Sequence, residues 1–114
     1  MDRRRRLLPR DYLSDPDAFG RNRAVRFIIP AGGDAQSAAI ARVQHELVLR
    51  WRAQGCRPSG SRLGRSFGFS KQTWSRSTLG QRWMGEAVIC ALLVAIGLPD
   101  QTSRSPLATR RFST

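Results

Sequence analysis

A run of polar and basic side chains between Leu63 and Gly80 has the chemistry needed to recognise nucleic-acid bases. A glutamine amide can pair with both N6 and N7 of adenine, and an arginine guanidinium can pair with both O6 and N7 of guanine. If Ser70 caps a helix, Gln72 lies in its first turn and Arg76 in the next. No acidic residue occurs in this stretch, so nothing within it would repel a polyanion.

The same stretch has the pattern of two short helices joined by a tight turn. Leu63 and Phe67 lie four residues apart, so one helical face can carry both inward. Gly68 takes the left-handed backbone that ends a helix more easily than any other residue. Ser70 is a good N-cap, because its hydroxyl can accept a backbone N–H of the following helix. We therefore expect the second helix from about Lys71 to Thr78.

This pattern resembles the helix-turn-helix motif of Cro/C1-type phage repressors and their bacterial relatives, in which the second helix enters the major groove of DNA. The residues that carry the resemblance are the apolar Leu63, the small Gly64, the turn Phe67-Gly68-Phe69 and the apolar Trp74. The sequence departs from the family at Ser77, where an aliphatic core residue is usual. Leu79 is the candidate to fill that core position instead.

The resemblance implies that Ser70, Lys71, Gln72 and Arg76 face the bases. We expect Gln72 and Arg76 to contact bases and Lys71 to contact the backbone, while Thr73 and Ser75 could contact phosphate or sugar. Flanking arginines would add phosphate contacts. The complete set of expected DNA-binding residues is Ser70, Lys71, Gln72, Thr73, Ser75, Arg76, Arg62, Arg65 and Arg57.

The composition also favours a polyanionic partner. The chain has 114 residues, with 20 Lys and Arg against 8 Asp and Glu, and a net charge of +12. Lys71 is the only lysine. A GC-rich genome would explain the choice of arginine over lysine but not the excess of basic over acidic residues. Nucleic acid is the simplest partner for such a chain.

Neither catalysis nor a cofactor is indicated. His45 is the only histidine and is expected at the surface, the acidic residues are scattered, and no glycine loop for phosphate occurs. With Cys56 and Cys90 as the only cysteines, one chain cannot supply four nitrogen and sulfur ligands to a metal. We therefore expect no enzyme, no metal and no cofactor, and two partly buried free thiols in a reducing cytosol.

Residues 1–33 are expected to form a basic, mostly extended N-terminal arm. The charge run Arg3–Arg6 would either follow DNA phosphates or reach a minor groove as a basic arm, or it would remain a solvated, disordered tail. Apolar anchors could fold the segment back onto the helices; they are Tyr12, Leu13 and Phe19. The segment Ala24–Pro30 has β-type composition but no evident partner strand. We expect it to lie extended over the helices, with a ribbon between two chains as the alternative.

Residues 34–98 are expected to form the helical domain, and residues 99–114 a disordered tail. The first helix of the helical domain would begin after Asp34 and run from Ala35 to about Gln54. The apolar face of that helix would comprise Ile40, Val43, Leu47, Val48 and Trp51. A later helix, Gln81–Ile96, is apolar nearly all round but too short to span a membrane. One side of it could pack on the preceding helices and the other against a second copy, which makes it the candidate contact of a homodimer; one compact monomer core is the alternative.

The sequence thus predicts an all-α fold, a small helical bundle with a helix-turn-helix and an extended N-terminal segment that includes a possible short strand. The expected function is a sequence-specific, double-stranded DNA-binding transcriptional regulator in the cytoplasm of a bacterium or a phage-infected host. A repressor of phage or mobile-element type follows from the resemblance alone. A non-specific nucleic-acid-binding or architectural protein and a protein-interaction module such as an antitoxin remain open. An RNA-binding factor is less favoured, because few aromatic residues are placed to stack on single-stranded bases.

Overall fold

The computed structural model describes residues 7–97, and this part of the chain forms the small all-α bundle that the sequence predicts. Two short 3₁₀ turns precede four α-helices. Their bounds are Pro9–Tyr12 and Pro16–Ala18 for the turns, and Ala35–Ala53 (α1), Gly60–Phe67 (α2), Lys71–Thr78 (α3) and Glu86–Ala95 (α4) for the helices. Within the described range, no helix combines the length and the apolar character that a bilayer crossing requires. The Arg3–Arg6 run, predicted to be a basic arm or a solvated tail, and the predicted tail from residue 99 onward lie outside the described residues.

Helix α1 begins where the sequence predicts but turns a different face to the core. The Asp34 carboxylate accepts the Ser37 backbone N–H at 2.7 Å, which caps the helix. Ile40 and Val43, expected to be buried, are 43% and 58% exposed. The buried residues of α1 are Ala41, Gln44, His45, Leu47, Val48, Leu49 and Trp51. The prediction was wrong in the first turns because the N-terminal segment covers the side that carries Ala41 and His45.

His45 is buried rather than exposed, contrary to the prediction, with 2% of its surface accessible. Its Nδ1 accepts the Gly20 backbone N–H at 2.8 Å. The rings of Phe19 and Phe27 meet it edge to face at centroid distances of 5.6 and 5.3 Å. Burial lowers the pKa of His45, because the charged imidazolium loses its hydration, and this outweighs the opposing effect of the Glu46 carboxylate.

We expect the free energy of unfolding to fall as the pH drops below 6.5, the ordinary pKa of histidine. The unfolded chain takes up the proton near that value, whereas the folded chain resists it until its lowered pKa is reached. His45→Gln retains an acceptor for the Gly20 N–H but cannot titrate, so it should remove this pH dependence. Urea unfolding of both proteins at about pH 7.5 and about pH 5.5 measures the difference.

Glu46 does not confound this measurement. The hydrogen bond from Arg23 holds the pKa of Glu46 below its ordinary 4.5, so its contribution to stability is lost at lower pH. Equal losses of stability between the two pH values in wild type and His45→Gln would contradict the assignment to His45.

The N-terminal segment packs on the helices through the anchors that the sequence indicated. These are Tyr12, Leu13 and Phe19, all buried. The segment Ala24–Pro30 does not form the possible short strand within the described residues, but it does have a partner within the chain. Leu13 and Phe27 form an isolated antiparallel bridge, and the Ser14 N–H donates to the Arg26 carbonyl at 2.8 Å. The expectation of a segment without a partner was wrong, because the first 3₁₀ turn leaves an extended stretch that the composition did not reveal.

Helix α4 begins five residues later than the predicted Gln81, at Glu86. Tertiary contacts hold the preceding residues outside a helix. The Trp83 indole N–H donates to the Leu7 carbonyl at 2.9 Å, and Met84 is buried against the core. Gly85 then serves as the N-cap residue of α4.

The two long faces of α4 differ in their surroundings. Val88, Ala91 and Leu92 are buried against α1 and α2. Val94 is 60% exposed, and Cys90, four residues before it, is also exposed. Cys56 is half-buried as expected, but the prediction of a partly buried Cys90 was wrong, because its side of the helix has no covering element within the described residues.

A candidate nucleic-acid interface on helices α2 and α3

Helices α2 and α3 are joined by a turn of three residues whose ends follow the predicted signals. Gly68 has a φ of +81°, and its N–H bonds to the Gly64 carbonyl at 2.8 Å, so it ends α2 in a left-handed cap. The Ser70 hydroxyl accepts the Thr73 N–H at 3.0 Å and begins α3. The Ser59 hydroxyl accepts the Arg62 N–H at 3.2 Å and begins α2. Both helices therefore follow local sequence signals closely.

Trp74 holds α3 against the rest of the bundle. Its ring packs edge to face on Trp51, with centroids 4.9 Å apart, and stacks on Phe69 at 5.6 Å with an interplanar angle of 9°. Gly60, the first residue of α2, faces the same ring, since a Cβ added there would stand 2.2 Å from it. Only glycine fits at this position without displacing Trp74. The α2–α3 pair is thus positioned by an aromatic cluster, and α3 cannot rotate freely.

The side of α3 away from Trp74 is exposed. Trp74, Ser77 and Thr78 are buried. The exposed residues are Lys71, Gln72, Ser75 and Arg76. They form one stripe, because residues four apart lie on the same side of a helix. We call these four residues the α3 face; it brings together most of the expected base-contacting residues.

Ser70 and Thr73 use their hydroxyls at the start of the helix. The Ser70 hydroxyl accepts the Thr73 N–H and also donates to Thr73 Oγ1 at 3.0 Å. Thr73 is half-buried, and its own hydroxyl hydrogen remains available as a donor. These two expected site residues therefore serve primarily to cap α3.

The expected phosphate-binding arginines flank this face and have no ion-pair partner within residues 7–97. Arg62 and Arg65 are exposed on α2 and lie three residues apart, on one side of that helix. Arg57 is exposed in the loop between α1 and α2, where its carbonyl accepts the Gln54 side-chain amide at 2.6 Å. Within the described residues no carboxylate pairs with these three side chains. By contrast, the Glu46 carboxylate engages both Arg23, at 2.7 Å, and Arg50, at 3.4 Å.

The charge of this part of the chain has one sign. No acidic residue occurs between Glu46 and Glu86. The basic residues carried by α2, α3 and the connections that flank them are Arg57, Arg62, Arg65, Lys71, Arg76 and Arg82. With no carboxylate among them, their combined field attracts polyanions.

A cleft at the end of α3 contains residues that the sequence analysis missed. Its volume is about 470 Å³, and it is lined by Leu8, Arg76, Gln81, Arg82 and Trp83. We call it the basic cleft. Gln81 and Arg82 were overlooked because the apolar pattern placed them at the start of a helix. The glycines at positions 80 and 85, which bracket this connection, were the available signal.

Ser77 occupies the position at which the sequence departs from the Cro/C1-type pattern. It is 0% exposed, and its hydroxyl has no hydrogen-bond partner within the described part of the chain. Leu79 is the C-cap residue of α3 and is half-buried. The core position therefore belongs to Ser77 itself, and Leu79 does not replace it.

Comparisons with protein-family models, with curated proteins and with solved structures found no match for this chain. The resemblance to the Cro/C1-type family accordingly stays a prediction from the motif residues. The features that bear on function are the α3 face, the packing of Trp74 that supports it, and the positive charge around it.

Proposed function

We propose that this protein is a sequence-specific, double-stranded DNA-binding regulator and that α3 is the helix that enters the major groove. The observation that carries the proposal is the α3 face, an exposed stripe of amide, hydroxyl and basic groups. On the opposite, buried side of the same helix, Trp74 packs against Trp51 and holds the helix in place. An α-helix fits the major groove of B-form DNA, where each base pair presents its own pattern of donors and acceptors.

The side chains divide into two roles. Gln72 matches the N6 and N7 edge of adenine, and Arg76 matches the O6 and N7 edge of guanine. Lys71, Arg62 and Arg65 suit phosphate contacts, which set the register of the helix on the duplex.

A single recognition helix contacts only a few base pairs, so proteins of this type usually bind as dimers to half-sites about one helical turn apart. The outer side of α4, with Val94 exposed, is the contact that we propose for a second copy. Such a dimer bound to an operator would repress transcription by occupying it.

Selection of binding sites from a random duplex pool at about physiological salt tests the proposal. Wild type should enrich one motif, palindromic if the protein binds as a dimer. Arg76→Ala should weaken binding by about 1–3 kcal/mol and lose the preference at one base position. Arg50→Ala is the matched control, because it removes the same charge from α1, where Glu46 already partners the arginine.

The alternative function is non-specific nucleic-acid binding, and the net charge of +12 favours it. It predicts tight binding to every duplex without enrichment, and equal losses for Arg76→Ala on all sequences. That result would contradict the assignment of Arg76 to base recognition. Absence of DNA binding at low salt would contradict both functions and would favour a protein-interaction module.

A further inference from the structure

We propose that the basic cleft binds a phosphate of the DNA strand that passes the end of α3, an inference that rests on the proposed function and extends it beyond the helix pair. Arg76 belongs to both the α3 face and the cleft. A strand bound along the α3 face would therefore continue directly into the cleft. Arg82 and Gln81 then become DNA-binding residues that neither the helical pattern nor the resemblance indicated.

The polar groups of the cleft match a phosphate. Arg82 is exposed and has no carboxylate partner among the described residues. A guanidinium can donate two parallel hydrogen bonds to phosphate oxygens, and it stays charged at all physiological pH values. The exposed Gln81 amide offers a neutral donor beside it. Among the described residues no acidic side chain lines the cleft, so a bound anion meets no like charge from them.

The walls of the cleft are held in place before any ligand binds. The Trp83 indole N–H is engaged by the Leu7 carbonyl, and the Trp83 ring packs edge to face on Tyr12 at 5.9 Å. Gly80, which precedes Gln81, accepts the Arg10 N–H at 3.2 Å. The connection that carries Arg82 is thus fixed at both ends. A preformed site loses less entropy on binding than a loop that has to become ordered.

The volume of about 470 Å³ exceeds that of a lone phosphate and leaves space for the attached sugars of a strand. A free phosphate or phosphorylated small molecule shares the same chemistry. The position of the cleft beside the α3 face favours the strand, because Arg76 connects the two surfaces. Competition between DNA and inorganic phosphate separates these two sources.

The test measures the affinity of wild type, Arg82→Ala and Arg50→Ala for the selected motif and for random duplex over a range of salt concentrations. Arg82→Ala should bind both DNAs about tenfold more weakly, since a phosphate contact does not depend on the base sequence. The slope of log K against log salt should fall in magnitude by about 0.9, the value for one phosphate contact. Arg50→Ala should resemble wild type, and Arg82→Lys should keep the wild-type slope.

Circular dichroism checks that each variant is folded, with Arg82→Gln as a second neutral variant. If wild type selects a motif but Arg82→Ala behaves as Arg50→Ala does, the cleft proposal is wrong and the proposed function stands. If wild type binds no DNA, both are wrong.

A further arm uses the Trp83 indole N–H signal in NMR spectra, assigned with Trp83→Phe. DNA should shift this signal, and inorganic phosphate at millimolar concentration should neither reproduce the shift nor displace DNA. Displacement of DNA by inorganic phosphate in wild type but not in Arg82→Ala would assign the cleft to a free phosphate and overturn the strand contact.

Discussion

Replacement of Trp74 by alanine is expected to lower the free energy of unfolding by about 3–5 kcal/mol, the usual cost of truncating a large buried aromatic side chain. The indole fills the space between Trp51, Phe69 and the start of α2. Its loss leaves a cavity beneath α3, so the α3 face would no longer be held in one orientation. Urea unfolding measures the stability, and binding to the selected DNA motif should be lost together with it.

Gly60→Ala provides a matched test of the same packing. The added Cβ would stand 2.2 Å from the Trp74 ring, so in wild type we expect a loss of about 1–3 kcal/mol from overpacking. In the Trp74→Ala background the colliding ring is absent, and the same substitution should be neutral or slightly stabilising. A double-mutant cycle reports this coupling. Additive losses would show that Trp74 does not contact Gly60.

Gly80→Ala is expected to destabilise the protein by about 2–4 kcal/mol for two separate reasons. Gly80 has a φ of +74°, in the left-handed region that costs other residues about 1–2 kcal/mol. An added Cβ would also stand 2.7 Å from the Phe19 ring and 2.9 Å from Arg10 Cβ. The substitution would therefore separate the end of α3 from the N-terminal segment that braces it.

Gly68→Ala is the control that isolates the backbone contribution. Gly68 has a φ of +81°, but an added Cβ there would meet nothing within 4 Å. We expect it to lose only the left-handed cost of about 1–2 kcal/mol. Denaturant midpoints of the two variants give the difference directly. Equal losses would mean that Phe19 moves aside without cost, and that the N-terminal segment does not brace α3.

The N-terminal segment has a larger role in positioning the candidate site than its composition suggests. Its burial on α1 places Gly20 against Val48 and the Thr78 carbonyl, since a Cβ at Gly20 would meet both. Arg10, in the first 3₁₀ turn, donates its backbone N–H to Gly80. The C-terminal end of α3 is therefore held by residues that lie far away in sequence.

The sequence by itself determined the local elements of the candidate site. Asp34 begins α1, and Gly68 with Ser70 defines the turn between α2 and α3. The exposed stripe from Lys71 to Arg76 was also predictable, because Trp74 had to face inward. These signals act through hydrogen bonds and backbone conformations within about one helical turn, so neighbouring residues are enough to specify them.

Only the tertiary structure decided which surfaces are covered. His45 is buried because the N-terminal segment lies over it, and Val43 is exposed because that segment leaves it uncovered. The first turn predicted for the last helix is irregular because Trp83 bonds to Leu7, across most of the chain, and the same contact creates the basic cleft. Periodicity identifies a helix with an apolar side, but the covering of each side depends on contacts between distant segments, and no local pattern records them.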